Sequence, residues 1–373
     1  MSPNRTPFSF LAILFSFLLI FTPISAAPQN RNNNGRNRNG NNRVQQTPQQ
    51  QASQIPQGIS TATDGTSKIL DSTVQLNGVP LRFKISAPAS EFTTLTNVTG
   101  ASSAPNSAGQ LGVNVLLHGD GGQSFFDFPN QAVDQSNLLG VVLLAPSTNL
   151  LWGQRTGPAP GLTRADGVDD AQLVRDFVKD VLPQLVSFDE SNVFFTGVSG
   201  GALLLSGFFM PTHLAEFTST SAGTTTGVLL LCGAMPPQVD VTGFTAKNTR
   251  IHYQSTTDEL QLLQQSIPDA IKAFEQLAVE EGLSEEEVGA LQTVDNTPNG
   301  GHCEFDEQGF VSGIQLVVDN FDGIMLAGGD GEFGGVNVLN SVVGNEELRF
   351  SGGNGARKRG EKEEERMMRL DVF

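Results

Sequence analysis

Residues 193–210 read VFFTGVSGGALLLSGFFM: a short apolar strand, a glycine-rich turn around Ser199, and an apolar run typical of a helix. This order is that of a nucleophile elbow, in which a tight turn between a strand and a helix exposes a serine. Gly197 and Gly201 stand two positions either side of the serine, where larger side chains would collide with the strand and the helix. An ordinary glycine-rich connection is the alternative, because the chain has 41 glycines. The stretch predicts Ser199 as a catalytic nucleophile.

Both ends of the chain look unfit to form part of a folded core, so we expect one folded domain between them. Residues 1–27 have the apolar segment and small-residue cleavage site of an export signal, and the apolar segment is too short to span a bilayer. Residues 28–58, rich in Asn, Gln and Arg, predict a disordered leader that serves as a spacer or adheres to an anionic polymer. Residues 59–327 are the predicted domain and residues 328–373 a Gly-rich and charged tail. We therefore expect a secreted protein with no membrane anchor after signal removal.

The charge is distributed unevenly along the chain. The net charge is −17, yet residues 1–58 hold five arginines and no acid, while residues 59–356 hold 11 basic and 34 acidic side chains. A domain this acidic repels nucleic acids and other polyanions. A neutral or weakly charged small-molecule or polymer-borne substrate is expected instead, with no cofactor and no metal.

Strands and helices alternate through the predicted domain. The strands are apolar throughout, which is typical of a parallel sheet buried on both faces. An Asn77-Gly78 turn inside alternating residues predicts an antiparallel hairpin at the N-terminal edge. The predicted hairpin spans 72–87, the further strands 113–117, 141–145, 193–196, 228–231, 250–254 and 291–295, and the helices 167–186, 260–281, a short one beginning at Ser284, and 308–325. The predicted fold class is α/β, a mostly parallel sheet with helices on both faces.

A serine nucleophile needs a base, and histidine is the commonest one. The chain has four histidines. His302 lies in a tight Asn-Gly-Gly-His-Cys loop after the last predicted strand and is the expected base. His213 is the second candidate, whereas His252 lies within a strand pattern and His118 directly after a strand, so both are expected to be structural.

The acid of a triad should follow a strand between Ser199 and His302 in sequence. Asp258 comes just after strand 250–254 and is the expected acid, with Glu259 as the near alternative. Capping the helix that follows is the other role that Asp258 could have.

Two main-chain N–H groups are expected to bind the oxyanion of the reaction. One should belong to Gly200, the residue after the nucleophile. The other should come from the His-Gly-Asp-Gly-Gly loop at 118–122, from Asp120 or Gly121. A phosphate-binding loop is disfavoured there, because no Lys-Ser/Thr pair follows and Asp120 would repel phosphate.

Further residues have predicted structural roles. Cys232 and Cys303, the only cysteines, are expected to form a disulfide that holds the His302 loop, although two free thiols are the alternative. Asn97 begins the only glycosylation sequon past the signal. The loop 147–165, with the only tryptophan, Trp152, is expected to form a wall of the substrate site.

These motifs resemble the α/β-hydrolase fold, and in particular secreted fungal esterases related to polyhydroxybutyrate depolymerases and to the feruloyl and acetylxylan esterases of carbohydrate esterase family 1. The resemblance covers about residues 65–325. It is carried by His118-Gly119-Asp120-Gly121-Gly122, Gly197-Val198-Ser199-Gly200-Gly201, Asp258 and His302. It implies a serine esterase in which Ser199 attacks an ester carbonyl, His302 transfers protons and Asp258 orients the histidine.

Val198 stands where tannase-like feruloyl esterases have a cysteine, which disfavours that subfamily. A serine peptidase on the same scaffold and a non-catalytic, hydrolase-like binding protein are the two alternative functions. The sequence makes no prediction about the oligomeric state.

Overall fold

The computed structural model describes residues 47–62, 65–122, 125–126, 137–155, 162–218, 226–296, 298–305 and 321–325. The predicted export signal, the leader up to residue 46 and the predicted tail lie outside the described residues. So does most of the predicted helix 308–325, of which residues 321–324 are helical.

Nine strands of the described residues form one sheet in the order β1-β2-β3-β5-β4-β6-β7-β8-β9. They are Gly58–Thr61 (β1), Ser67–Leu76 (β2), Val79–Pro88 (β3), Gly112–Leu117 (β4), Leu138–Leu144 (β5), Val193–Val198 (β6), Thr226–Leu231 (β7), Thr249–Gln254 (β8) and Gln292–Asp295 (β9). The pairings β1–β2, β2–β3 and β3–β5 are antiparallel, and all others are parallel. The predicted mostly parallel sheet is confirmed.

The N-terminal hairpin is also confirmed, and its turn explains its register. Asn77 and Gly78 both have positive φ angles, 52° and 78°, as a two-residue hairpin turn of the primed type requires. Leu76 therefore pairs with Val79, and the register runs to the pair Ser67–Pro88.

Helical segments cover both faces of the sheet. Neighbouring strand residues point to opposite sides, so a strand that is apolar at successive positions needs cover on both faces. On β6, Phe195 packs against Phe209 and Phe217 in the larger core, whereas Phe194 packs against Phe321 in a second core. Every residue of β5, β6, β7 and β8 is buried. This burial accounts for the mainly apolar sequences of β5, β6 and β7, whereas β8 departs from the predicted apolar pattern with buried Arg250, His252 and Gln254, each of which has hydrogen-bond partners.

The α-helices of the described residues include Pro48–Ala52 (α1), Gly167–Asp176 (α2), Leu182–Leu185 (α3), Gly200–Leu204 (α4), Met210–His213 (α5), Gln261–Glu280 (α6) and Glu285–Leu291 (α7). None of the helices in the described part of the chain is long and apolar enough to cross a membrane. Ser284 begins α7 with the predicted capping box, in which its side chain and that of Glu287 bond reciprocally to the main chain.

Two helical runs contain a single π turn, and each π turn ends two residues before a proline. Phe177–Val181 comes before α3 with Pro183, and Leu205–Phe209 comes before α5 with Pro211. Proline has no N–H and its ring clashes with the carbonyl four residues earlier, so the wider turn keeps the run continuous. The predicted helix 167–186 is therefore three joined segments.

The predicted leader boundary is wrong for residues 47–58, which pack against the sheet, with Ala52 buried beside Val142 and Leu144 of β5. The buried Arg82 guanidinium donates to the carbonyls of Ala52 and Ile55 at 2.7 and 3.1 Å, and pairs with Asp71 at 2.7 and 2.8 Å. The polar composition of the segment hid this docking, because main-chain carbonyls supply its contacts.

Candidate active site

The parallel strands end at one edge of the sheet, and Ser199, Glu259 and His302 lie in segments that follow β6, β8 and β9 there. Ser199 follows β6 with φ 48° and ψ −110°, a strained conformation for a residue with a side chain. Its N–H donates to the carbonyl of Leu231 at 2.8 Å. A β-carbon on Gly197 would lie 2.5 Å from the α-carbon of Ala202, and one on Gly201 would lie 2.7 Å from the carbonyl carbon of Leu117. The turn can therefore close only with glycine at both positions.

His302 lies directly against this serine. Its Nε2 is 2.9 Å from the Ser199 Oγ. The loop around His302 is bound to the loop after β8, since the Thr256 hydroxyl donates to the Gly301 carbonyl at 2.9 Å. The predicted nucleophile and the predicted base thus meet at hydrogen-bond distance.

The carboxylate beside His302 belongs to Glu259 and not to Asp258, so the expected acid is corrected. The Glu259 oxygens lie 3.1 and 3.2 Å from the His302 Nδ1, and the side chain is only 1% exposed. Asp258 is exposed and does not cap α6, whose N-terminal flanking residue is Leu260 with no side-chain bond. The turn after β8 breaks the alternation of the strand, so the sequence pattern could not tell which of the two acids points inward.

The tautomer of His302 follows from its partners. An ionised carboxylate only accepts hydrogen bonds, so Nδ1 carries the proton that faces Glu259. Nε2 is then free to accept the hydroxyl proton of Ser199. Glu259 also accepts the Cys303 N–H at 3.2 Å, which fixes the direction of the carboxylate.

The loop 118–122 flanks the serine, as predicted. A β-carbon on Gly119 would lie 3.4 Å from that of Ser199. Gly121 does not supply the expected oxyanion donor, because its N–H donates to the Leu150 carbonyl at 3.0 Å. Within the described part of the chain, the N–H groups of Asp120 and Gly200 have no such acceptor, so these two remain the candidate oxyanion donors.

His118 is buried beneath the 118–122 loop and is held as a neutral ring. Its Nε2 accepts the Ala145 N–H at 2.9 Å, and its Nδ1–H donates to the Gly119 carbonyl at 2.6 Å. Burial lowers the pKa of His118 from 6.5 to about 4. The expected structural role fits this environment.

This environment predicts a loss of stability in acid that depends on His118. Between pH 6.5 and about 4 the unfolded chain binds a proton that native His118 does not, so the free energy of unfolding falls as the pH falls. The lowered pKa of His118 accounts for a fall of about 3 kcal/mol in the free energy of unfolding over this pH range. Urea unfolding at pH 7 and pH 4 should show a smaller pH difference in His118→Gln than in the wild type. An equal difference would contradict the prediction, and His213→Gln is the control expected to keep the wild-type value.

Trp152 was expected to line the substrate site, and this expectation is wrong. The side chain is fully buried, and its ring centroid lies 5.3 Å from that of His118. The loop turns inward because the Gly153 N–H donates to the buried carboxylate of Asp170 at 2.7 Å. Burial raises the pKa of Asp170 from 3.8 to about 6. A long-range contact of this kind leaves no local signal in the sequence.

The other histidines lie elsewhere. His213 pairs with Glu216 at 3.1 Å, and buried His252 lies 2.8 Å from the Thr293 hydroxyl. Neither has a described contact with Ser199. Asn97 is exposed, and its glycosylation stays a prediction.

The predicted disulfide is confirmed. Cys232 and Cys303 are bonded, with their α-carbons 5.3 Å apart. Cys232 directly follows β7 and Cys303 directly follows His302, so the bond ties the histidine loop to the sheet edge beside Ser199.

Removing this bond should reduce both stability and catalysis. The loop it closes spans 71 residues, for which the chain-entropy model gives about 4 kcal/mol. Cys232→Ala/Cys303→Ala should therefore unfold at a lower urea concentration. Its kcat should also fall by more than the unfolded fraction explains, because the position of His302 is less restricted. Treatment with a thiol reductant should lower the stability and the kcat of the wild type and leave both values unchanged in the double variant. Unchanged kcat in a destabilised double variant would show that the bond does not position the histidine.

Together, the strand order, the elbow after the central strand β6 and the loops at the carboxyl edge define an α/β-hydrolase fold. No known family model matches the chain, and no curated protein matches it in sequence.

Several solved structures have a similar backbone. One is a thermostable esterase, with 14% identity over 68% of this chain and 60% of that one and a TM-score of 0.40. Another is the feruloyl esterase module from Clostridium thermocellum complexed with sinapinate, with 10% identity over 70% of this chain and 88% of that one and a TM-score of 0.42. A third is esterase 2 of Thermogutta terrifontis, phosphoramylated by tabun, with 12% identity over 68% of this chain and 93% of that one and a TM-score of 0.41.

Arg164 is a site residue that the sequence did not indicate. It lies in a Gly/Pro-rich stretch, and its side chain is only 2% exposed and is paired with Asp120. A charged residue in such a stretch normally predicts an exposed loop, so only the three-dimensional contact reveals it.

Proposed function

We propose that this protein is a serine hydrolase of carboxylic esters, with Ser199 as nucleophile, His302 as base and Glu259 as the acid that orients the base. The observation that carries the proposal is the continuous contact from the Ser199 Oγ to the His302 Nε2 at 2.9 Å and from the His302 Nδ1 to Glu259 at 3.1 Å. Nucleophile, base and orienting acid in this geometry are the components of a catalytic triad.

The reaction begins when the Ser199 Oγ attacks the ester carbonyl and its proton moves to the His302 Nε2. Buried Glu259 stabilises the resulting imidazolium. The carbonyl oxygen becomes an oxyanion, for which the N–H groups of Gly200 and Asp120 are the proposed donors.

The tetrahedral intermediate collapses when His302 protonates the leaving alcohol. An acyl group then remains on Ser199. A water molecule, deprotonated by His302, attacks this acyl-enzyme, and the second tetrahedral intermediate releases the carboxylic acid and regenerates the serine.

The proposed substrate class is inferred from the negative charge of the domain and from the motifs that resemble known esterases. An acidic domain favours neutral esters over polyanionic ones. The motifs around Ser199 and His302 resemble those of the secreted fungal esterases and depolymerases named above, so aromatic acyl esters, acetylated polysaccharides and hydroxyalkanoate esters are the proposed substrates.

Secretion is part of the proposal. The disulfide between Cys232 and Cys303 supports an oxidising compartment, and residues 1–27 supply the expected export signal. Exposed Asn97 would be available for glycosylation there.

A panel of substrates tests this function. The purified protein is incubated with p-nitrophenyl acetate and butyrate, ethyl ferulate, acetylated xylan and a hydroxybutyrate oligomer, with peptide p-nitroanilides as amide comparators. We expect ester hydrolysis and no anilide cleavage. Preferential anilide cleavage would favour a peptidase, and inertness to every substrate would favour a non-catalytic binding protein.

A further inference from the structure

Buried Arg164 and partly exposed Asp120 form a bidentate ion pair in the loop beside Ser199. The Arg164 Nη1 and Nη2 donate to the Asp120 Oδ1 and Oδ2, both at 2.9 Å. The arginine side chain is 2% exposed and that of Asp120 29% exposed. Paired N–H to carboxylate bonds of this kind fix the orientation of both groups, which a single ammonium contact does not.

The Asp120 carboxylate lies directly against Gly200. A β-carbon on Gly200 would overlap this carboxylate, at 2.6 Å from its Cγ. Gly200 supplies one proposed oxyanion donor and Asp120 the other. A carboxylate therefore lies next to the place where the reaction develops negative charge.

An unpaired carboxylate in this position would oppose the oxyanion, because like charges repel strongly in a partly buried site. The Arg164 guanidinium cancels that charge. It also holds the main chain of Asp120, whose N–H must point at the oxyanion for full effect.

Further hydrogen bonds hold Arg164 in position beside Asp120. Its Nη1 also donates to the Trp152 carbonyl at 3.1 Å, and its own carbonyl accepts the Gly167 N–H at 2.9 Å, at the start of α2. Trp152 in turn packs on His118, which begins the 118–122 loop. Arg164 thus connects the oxyanion loop to the first turn of a core helix.

We propose that Arg164 is a positioning residue of the oxyanion hole, which orients Asp120 and neutralises its carboxylate beside Gly200. This inference rests on the proposed function, since it assigns a role within the same reaction.

The test compares kcat and KM for p-nitrophenyl butyrate in the wild type, Arg164→Gln, Arg164→Lys and the double variant Asp120→Asn/Arg164→Gln. Rates are expressed per active site, counted by complete reaction with a fluorophosphonate. Arg155→Gln is the matched control: Arg155 lies in the same stretch and pairs with buried Asp170 at 3.2 Å, away from Asp120.

Arg164→Gln should lower kcat per active site about 100-fold with little change in KM, because the lost stabilisation acts on the transition state. Arg164→Lys keeps the charge but lacks the paired N–H groups that donate to both carboxylate oxygens, so its kcat per active site should lie between those of Arg164→Gln and the wild type. If Arg164→Gln does not fold, Arg164→Lys replaces it in the comparison. Adding Asp120→Asn to Arg164→Gln should restore kcat about tenfold, because it removes the uncompensated charge. Arg155→Gln should keep kcat within about twofold, whatever its stability.

Two results would overturn the role of Arg164 and leave the proposed function intact. The first is a kcat of Arg164→Gln equal to that of Arg155→Gln, and the second is a double variant that is no faster than Arg164→Gln. A wild type inert to esters and to the fluorophosphonate would instead refute the proposed function, and this inference with it.

Discussion

Ser199→Ala is expected to lower kcat for ester hydrolysis by roughly 10⁴- to 10⁶-fold, the range found when a triad nucleophile is removed. The reason is that His302 then has no hydroxyl to deprotonate, although the fold is unaffected. Thermal unfolding should occur near the wild-type temperature, because only one partly buried hydrogen bond, that to His302, is lost and the elbow glycines are retained. Steady-state kinetics with p-nitrophenyl butyrate measures the effect.

Ser206→Ala is the matched control for this variant. Ser206 is buried, and its hydroxyl serves the main chain, donating to the Ala202 carbonyl at 2.8 Å and accepting the Met235 N–H at 2.9 Å. Its loss should reduce stability by about 1–3 kcal/mol and leave kcat per folded molecule nearly unchanged. A Ser199→Ala protein that keeps more than a few per cent of wild-type kcat would show that the nucleophile is elsewhere.

Glu259→Gln is expected to lower kcat by about 10²- to 10⁴-fold, while the neighbouring Asp258→Asn should change it by less than about twofold. The amide has the size of the carboxylate, but it carries no charge to stabilise the imidazolium. Its NH₂ group can also face the His302 Nδ1 and favour the wrong tautomer. Because both variants replace an acid by its amide at adjacent positions, their comparison isolates the contact with His302.

The opposite order of effects would contradict this assignment. If Asp258→Asn abolished activity and Glu259→Gln did not, the loop after β8 would have to rearrange during catalysis. Circular dichroism of both variants would check that neither loss reflects unfolding.

The fold could be predicted from the sequence because its determinants are local. Uniformly apolar strands such as β6 indicate burial on both faces, and Asn77-Gly78 specifies a hairpin turn. The contact between Ser199 and His302 could be predicted in the same way, since a glycine-flanked serine and a histidine in a tight loop each follow a strand at the carboxyl edge.

The errors concern side-chain direction and long-range contacts. Asp258 and Glu259 differ by one position in a turn, where strand alternation no longer tells which side chain points inward. Trp152 and Gly121 lie in glycine-rich loops that read as exposed, but Trp152 packs on His118, and the Gly121 N–H is taken by the Leu150 carbonyl. Such contacts depend on residues distant in sequence, so no local pattern encodes them.

Several contacts keep the site in its strained form. The positive φ of Ser199, 48°, costs about 1–3 kcal/mol. The fully buried strand β6 before it and the bond of its N–H to Leu231 hold the turn. The disulfide and Glu259 hold His302 from the other side, so the proposed nucleophile and the proposed base are already at hydrogen-bond distance in the absence of substrate.

The proposed activation of Ser199 by His302 is tested most directly by locating the residue that reacts with a fluorophosphonate. The wild-type protein is labelled, digested and analysed by mass spectrometry, beside His302→Ala and His213→Ala. We predict one adduct, on Ser199, formed in the wild type and in His213→Ala, and formed at least about 100-fold more slowly in His302→Ala. An adduct on another residue, no adduct in the wild type, or equal labelling of His302→Ala would contradict the claim that His302 activates Ser199.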